Sequence, residues 1–200
     1  MDVFSALTAR KMTRSFTTAR VAKDQVEALA YAATRGPSAG NTASIEILIL
    51  EKNDVAQYWD VTLPAERRDG FAWPGLFNAP LLMIPTVDPG AYVERYSEAD
   101  KAKTGLGANT DAWPVPYWWV DGGAAVENVL LAAAALGLGA CFFGQFEHEP
   151  AVRDHFGIPD GRRTLGTIAV GERDPSLERL SKSAQRHVSS VEERTHYGRW

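Results

Sequence analysis

Residues 117–136, YWWVDGGAAVENVLLAAAAL, carry the strongest helical signal in the chain, with Val126, Val129, Leu130, Ala133 and Leu136 on one face. From Val129 onward the stretch is almost wholly apolar, so this helix must be buried on most of its sides. GLGACFFGQF, 137–146, then turns from the helix into a strand. The apolar run from Val129 to Phe143 is too short to span a bilayer and is broken by Gly137 and Gly139.

A chain of 200 residues with 45% hydrophobic side chains can cover such a helix within a single domain, expected to span residues 1–200. The net charge of −4 argues against a nucleic-acid binder or a polybasic membrane binder. A single cysteine, Cys141, rules out an intrachain disulfide and reads as a small buried hydrophobe. MDVFSALTARK lacks the apolar core and cleavage site of a signal peptide, so a soluble, cytoplasmic protein is expected.

The flanking elements follow from local pattern. Asp2 caps a short helix with Val3, Phe4 and Leu7 on one face, and the cations of ARKMTR fall at its C-terminal end. A second helix runs from about Ala22, with Val26, Leu29, Ala30 and Ala33 at helical spacing. It stops at TRGPSAGN, where Gly36 suits a left-handed cap and Pro37 blocks continuation. IEILILE, 45–51, apolar on both faces, reads as a central strand, and PLLMIPTV, 80–87, as another. Residues 88–116 form a long excursion with a short helix around Tyr92–Lys103, of the kind that serves as a lid or binding loop. EPAVRDHFGI is a short helix and TLGTIAVGE, 164–172, the last strand. The tail 173–200 is polar but ends THYGRW, which predicts an arm packed across a partner subunit.

Conventional catalytic apparatus is missing. The four histidines lack ligand spacing and there is no second cysteine, so no metal site is expected. Neither a G-x-S-x-G elbow nor a P-loop is present, and GLGACFFG runs helix-to-strand, the reverse of dinucleotide-binding order. Enzyme chemistry in this chain therefore calls for a cofactor.

Four separated stretches resemble the FMN-dependent nitroreductase family, in the family's order and spacing. RKMTR, 10–14, is similar to its N-terminal RRSxR signature, and AATRGPSAGN, 32–41, to its AP-S-x-x-N loop. DGGAAVENVLLAAAALGLGACFFG, 121–144, is similar to its core helix and GLG turn, and FGIPDGRRTLGTIAVGE, 156–172, to its LGIP…iavG strand. The resemblance is silent over 52–78 and 88–116. It implies an α+β fold, a mainly antiparallel sheet flanked by helices, in an intertwined homodimer with FMN at two interface sites.

By position, the resemblance assigns Arg10 and Lys11 to the FMN phosphate and ribityl chain, with Met12 contributing backbone. It places Arg14 beside flavin N1 and O2, as an electrostatic stabiliser of the reduced ring. Pro37, Ser38, Ala39 and Asn41 would reach the flavin of the other subunit, although Thr42, Ala43, Ser44 and Ile45 replace the Gln and Pro-Trp that commonly follow. Phe142, Phe143 and Gly144 match the segment against flavin N5, where strand packing explains the two phenylalanines equally well; Gln145 replaces a usually small residue. Arg186 matches a distal phosphate arginine, with Gln185 or Ala184 in place of a second basic residue and Lys182 within reach. Trp113, Tyr117 and Trp118 are candidates for a substrate pocket that stacks flat acceptors, or equally for core.

The implied function is NAD(P)H-driven reduction, through FMN, of a nitroaromatic, quinone or similar small acceptor by a ping-pong mechanism. An FMN-dependent dehydrogenase or dehalogenase on the same fold, or a flavin-storage protein without turnover, are the alternatives.

Overall fold

The computed structural model describes residues 1–179 and 186–200. Lys182, Ala184 and Gln185, considered above as neighbours of Arg186, lie outside the described residues.

Helix α1, Val3–Ala9, is capped by Asp2, whose Oδ1 accepts the Ser5 N–H at 3.0 Å. The cations begin only after it: Arg10 is already extended, so RKMTR leaves the helix rather than closing it. The Val3, Phe4 and Leu7 face is exposed in the protomer, and only Ala6 is buried. Helix α2, Lys23–Ala33, buries Val26, Leu29 and Ala33. Gly36 does not take the expected left-handed conformation; the positive φ values fall later, at Gly40 (64°), Asn41 (57°) and Ala43 (50°).

The sheet contains β1 (Glu46–Glu51), β2 (Leu81–Val87), β3 (Gly139–Phe143), β4 (Arg163–Thr164) and β5 (Thr167–Gly171). Its order is β1-β2-β5-β3, with β4 also on β2, and every strand pair is antiparallel. β1 is thus an edge strand, not the central one its composition suggests. It is apolar on both sides because both sheet faces are covered: Ile47 and Ile49 pack against one core, Leu48 and Leu50 against the other. The expected strand 164–172 is broken at Gly166, where φ is 126° and a Cβ would sit 2.6 Å from Phe143 O.

Helix α5, Tyr117–Ala135, and α2 cover one face, burying Val126, Val129, Leu130 and Ala133 against Leu81, Met83, Ile168 and Val170. The other face is covered by α3, Asn53–Thr62, an element the sequence reading left unassigned, together with α6, Glu149–His155. Tyr58 and Trp59 of α3 pack there on Leu82, Ile84, Cys141 and Ala169. Alternation along β2 sends Leu81 and Met83 to one core and Leu82 and Ile84 to the other, which fixes its register. Each such side chain contributes about 1.5–3 kcal/mol on burial.

The excursion 88–116 begins with α4, Pro89–Ser97, earlier and shorter than the expected 92–103, because Asp88 caps it by accepting from Gly90 N–H at 2.8 Å. It has a small core of its own, in which Val87, Tyr92, Trp113 and Trp118 are buried. In the C-terminal segment Tyr197 and Trp200 are exposed in the protomer, with the His196 and Trp200 rings 4.3 Å apart. No helix among the described residues is long and apolar enough to cross a membrane.

Candidate functional site

The segment after α1 runs alongside β3. Met12 bridges Ala140 in parallel fashion, Thr13 N–H donates to Ala140 O (2.8 Å), and Phe142 N–H donates to Met12 Sδ (3.4 Å). Phe16 N–H then donates to Gly75 O (3.1 Å). In this extended run Thr13 and Ser15 are buried, and the intervening Arg14 borders a cavity of about 340 Å³. Its walls include Trp59, Phe71, Trp73, Phe143 and Gly144, and the volume lies within the ~300–1,000 Å³ of small-molecule sites.

This cavity brings together four of the expected residues: Arg14, Phe142, Phe143 and Gly144. Arg14 holds its guanidinium 5.1 Å from the Trp73 ring centroid. Trp59 and Phe143 stack at 5.9 Å with a 12° interplanar angle. Trp59 Nε1 is buried without a hydrogen-bond partner among the described residues, and it is the flat indole face, not this N–H, that the cavity wall offers. Flat aromatic walls and one fixed cation suit a planar ring bearing carbonyl groups, so FMN fits the residues present. Cys141 at the base is buried; desolvation pushes its thiol pKa up, against a smaller lowering by Arg14, so it stays protonated.

Gln145, which stands where the resemblance has a usually small residue, is buried and turns its amide inward. Its Nε2 donates to Thr167 Oγ1 (2.9 Å) and its Oε1 accepts from Thr164 Oγ1 (2.6 Å), while Tyr58 OH lies 2.8 Å from Thr167 Oγ1. This buried chain pins the backbone at Gly144–Gln145 to β4, β5 and α3. Burial pushes the Tyr58 hydroxyl up to about 12 despite its hydrogen bonds, so it is neutral in the physiological range.

Arg10 and Lys11 lie just before this cavity but face carboxylates: Arg10 Nε is 3.3 Å from Glu127 Oε1, and Lys11 Nζ 3.7 Å from Glu178 Oε1. Such exposed pairs are worth about 0–1 kcal/mol, so a phosphate can displace them. Pro37, Ser38 and Asn41 border a different cavity of about 350 Å³, together with Arg35 and Asp121, and it shares no lining residue with the Arg14 cavity. Ala39 is held beside it by its N–H, which donates to Asp121 Oδ2 (2.8 Å). Arg186 is exposed.

The aromatic candidates divide. Trp113 and Trp118, each 7% exposed, pack with Tyr92 inside the excursion's core, and Trp113 Nε1 donates to Leu106 O (3.0 Å). Neither borders the Arg14 cavity. Tyr117 is the exposed member of the three.

Tyr58, Trp59, Phe71 and Trp73 were not anticipated as site residues. The density of aromatics in FAWPGLF, 71–77, was the available signal, in a region without helical or strand period. A larger cavity of about 460 Å³ lies beyond Trp59, between Val55 and Pro80, and contains none of the expected residues. Among the described residues no group of three His, Cys, Asp or Glu could hold a metal ion.

The model of the Nitroreductase family matches residues 7–172. A curated Archaeoglobus fulgidus protein, provisionally named NADH dehydrogenase/NAD(P)H nitroreductase, is 22% identical over 166 residues, covering 81% of this chain and 80% of its own. Among solved structures, the nitroreductase CinD of Lactococcus lactis in complex with nicotinic acid superposes with a TM-score of 0.72 at 19% identity, covering 94% of this chain and 100% of its own. An FMN-dependent nitroreductase of Clostridium difficile superposes with a TM-score of 0.67 at 18% identity, covering 98% and 99%. The antiparallel sheet flanked by helices, the RKMTR segment laid along β3 and the family match over most of the length converge: the chain belongs to the Nitroreductase family of oxidoreductases.

Proposed function

We propose that this protein is an FMN-dependent oxidoreductase that passes reducing equivalents from NAD(P)H to a flat small-molecule acceptor, a nitroaromatic or a quinone, by a ping-pong mechanism. The observation that carries the reading is the Arg14 cavity, where one guanidinium, stacked aromatic walls and the Phe143–Gly144 backbone surround a space suited to a planar ring. When bound, FMN supplies the two-electron chemistry that the side chains lack.

The residues then have distinct tasks. Arg10 and Lys11, exchanging their carboxylate partners, bind the phosphate with Arg186, and Met12 contributes backbone. Arg14 would hold a fixed positive charge beside a bound flavin and so favour its reduced form, with the surrounding aromatics excluding water that would screen that charge. Phe142, Phe143 and Gly144 would contact the flavin from a segment held still by the Gln145 chain. Pro37, Ser38, Ala39 and Asn41 serve the flavin of the second subunit in a homodimer. That assignment accounts for their separation from Arg14 within one protomer. The C-terminal segment packs on that partner as an arm, and Tyr117, the first residue of α5 after the excursion 88–116, borders the acceptor space. The whole chain works as one domain, in the cytoplasm.

The test is the visible spectrum of the purified protein under anaerobic conditions. Flavin absorbance that bleaches with NADH or NADPH and returns on adding a nitroaromatic or quinone supports the reading. A colourless protein that cannot be reconstituted with FMN refutes it.

A further inference from the structure

Asp121 is a buried carboxylate, 5% exposed, among the aromatic and small residues that open α5, and the proposed reaction gives it no role. A carboxylate in that setting is costly unless donors meet it. Its Oδ2 accepts two hydrogen bonds of 2.8 Å, one from the Ala39 backbone N–H and one from the Tyr92 hydroxyl of α4. Burial, and then Asp121 itself, push the Tyr92 pKa upward, so that hydroxyl remains a donor.

The loop on the other end of this link does not sit in a relaxed conformation. Asn41 and Ala43 have φ of 57° and 50°, which side-chain-bearing residues rarely adopt, and such conformations persist only where neighbours impose them. A second grip comes from the same helix: Arg95 Nε donates to Gly40 O at 2.9 Å, while Asp100 holds the guanidinium with two bonds of 2.8 Å. The Tyr96 ring closes on Gly40 so tightly that a Cβ there would meet Cε2 at 2.8 Å. Helix α4 therefore holds residue 39 through Asp121 and residue 40 directly.

We propose that Asp121, Tyr92 and Arg95 are positioning residues that impose the flavin-binding conformation of loop 38–43, so that α4 of the excursion sets flavin affinity through the loop. The inference rests on the reading of Ser38–Asn41 as flavin contacts. It makes the excursion more than a cover: whatever moves α4 also moves the loop.

The experiment is a thermodynamic cycle on the full-length protein, stripped of flavin and titrated with FMN. Tyr92→Phe, which keeps the ring and removes the bond to Asp121, is expected to weaken FMN about three- to tenfold, as for partial loss of a charged hydrogen bond. Asn41→Ala weakens FMN by itself, and in that background Tyr92→Phe adds little, because both act through one loop. Arg95→Met repeats the test from the exposed side of the loop should Tyr92→Phe yield too little folded protein. Additive effects, or no effect of Tyr92→Phe and Arg95→Met beside a clear effect of Asn41→Ala, overturn the inference and leave the flavin reading standing. An Asn41→Ala protein with unchanged FMN affinity sinks the flavin reading of the loop, and the inference with it.

Discussion

The Arg14 guanidinium lies over the Trp73 ring, 5.1 Å from its centroid, joining the N-terminal segment to the loop before β2 across the candidate flavin cavity. The ring orients the cation without neutralising it, which a carboxylate partner would do. Trp73→Leu should therefore loosen Arg14 and weaken FMN about 2- to 30-fold, the range of a cation–π contact between exposed and desolvated limits. Fluorescence titration with FMN checks this, and unchanged affinity would mean that the stack has no part in the site.

The neighbouring cations behave differently. On the proposed assignment of Arg10 to the phosphate, its Glu127 partner is a competitor, so Glu127→Gln should tighten FMN by up to about fivefold at low salt, an exposed ion pair's worth. The gain should shrink as ionic strength rises. Dissociation constants at two salt concentrations decide it: weaker binding in the variant would place Arg10 away from the phosphate.

Tyr58 offers a prediction about stability. Its folded-state pKa of about 12 exceeds the ordinary tyrosine value of 10.0, so its contribution is fully present below pH 10 and is lost as pH rises through 12. Tyr58→Phe should cost about 0.5–1.5 kcal/mol at neutral pH, since it removes one buried hydrogen bond of Thr167 and leaves the one from Gln145 Nε2, yet lose less on going to pH 11. Urea midpoints at pH 8 and 11 make the comparison; parallel losses in both proteins would contradict it.

Trp118 is buried and the adjacent Tyr117, the proposed acceptor contact, is exposed, so the two can be tested apart. Trp118→Ala should destabilise by about 3–5 kcal/mol, as a large buried aromatic does. Tyr117→Ala should leave the unfolding midpoint near wild type and raise the KM for the acceptor. Equal stability of the two variants would show that Trp118 is not the core residue its packing indicates.

Much of this arrangement was legible in the sequence, for reasons that differ by element. α5 and β2 declare themselves through period and burial. β1 misled because an apolar composition on both sides reports covered faces, while its edge position is set by hydrogen-bonding topology that composition does not encode. Gly36 suits a left-handed cap by sequence because the proline after it marks a helix stop, but the positive φ values come only after Pro37, where Tyr96 approaches Gly40. Motif singles out Arg14, Phe143 and Gly144, which border one cavity, whereas Trp59 and Trp73 on the same cavity lie where no motif reaches. Asp121 carried a signal that went unused: a carboxylate set among the aromatic and small residues that open α5 must have donors.

The placement of the ring against Arg14 is the claim on which the rest depends, and a potentiometric titration of bound FMN tests it most directly. Arg14→Ala should make the flavin harder to reduce, by about 30–60 mV for a two-electron couple losing 1.5–3 kcal/mol, with the smaller effect on oxidised-FMN affinity. Arg186→Ala should weaken FMN about 10- to 100-fold and leave the potential near wild type, since phosphate charge does not change on reduction. An unchanged potential in Arg14→Ala, beside a lowered one in Arg186→Ala, would reverse the placement of ring and phosphate and contradict the account.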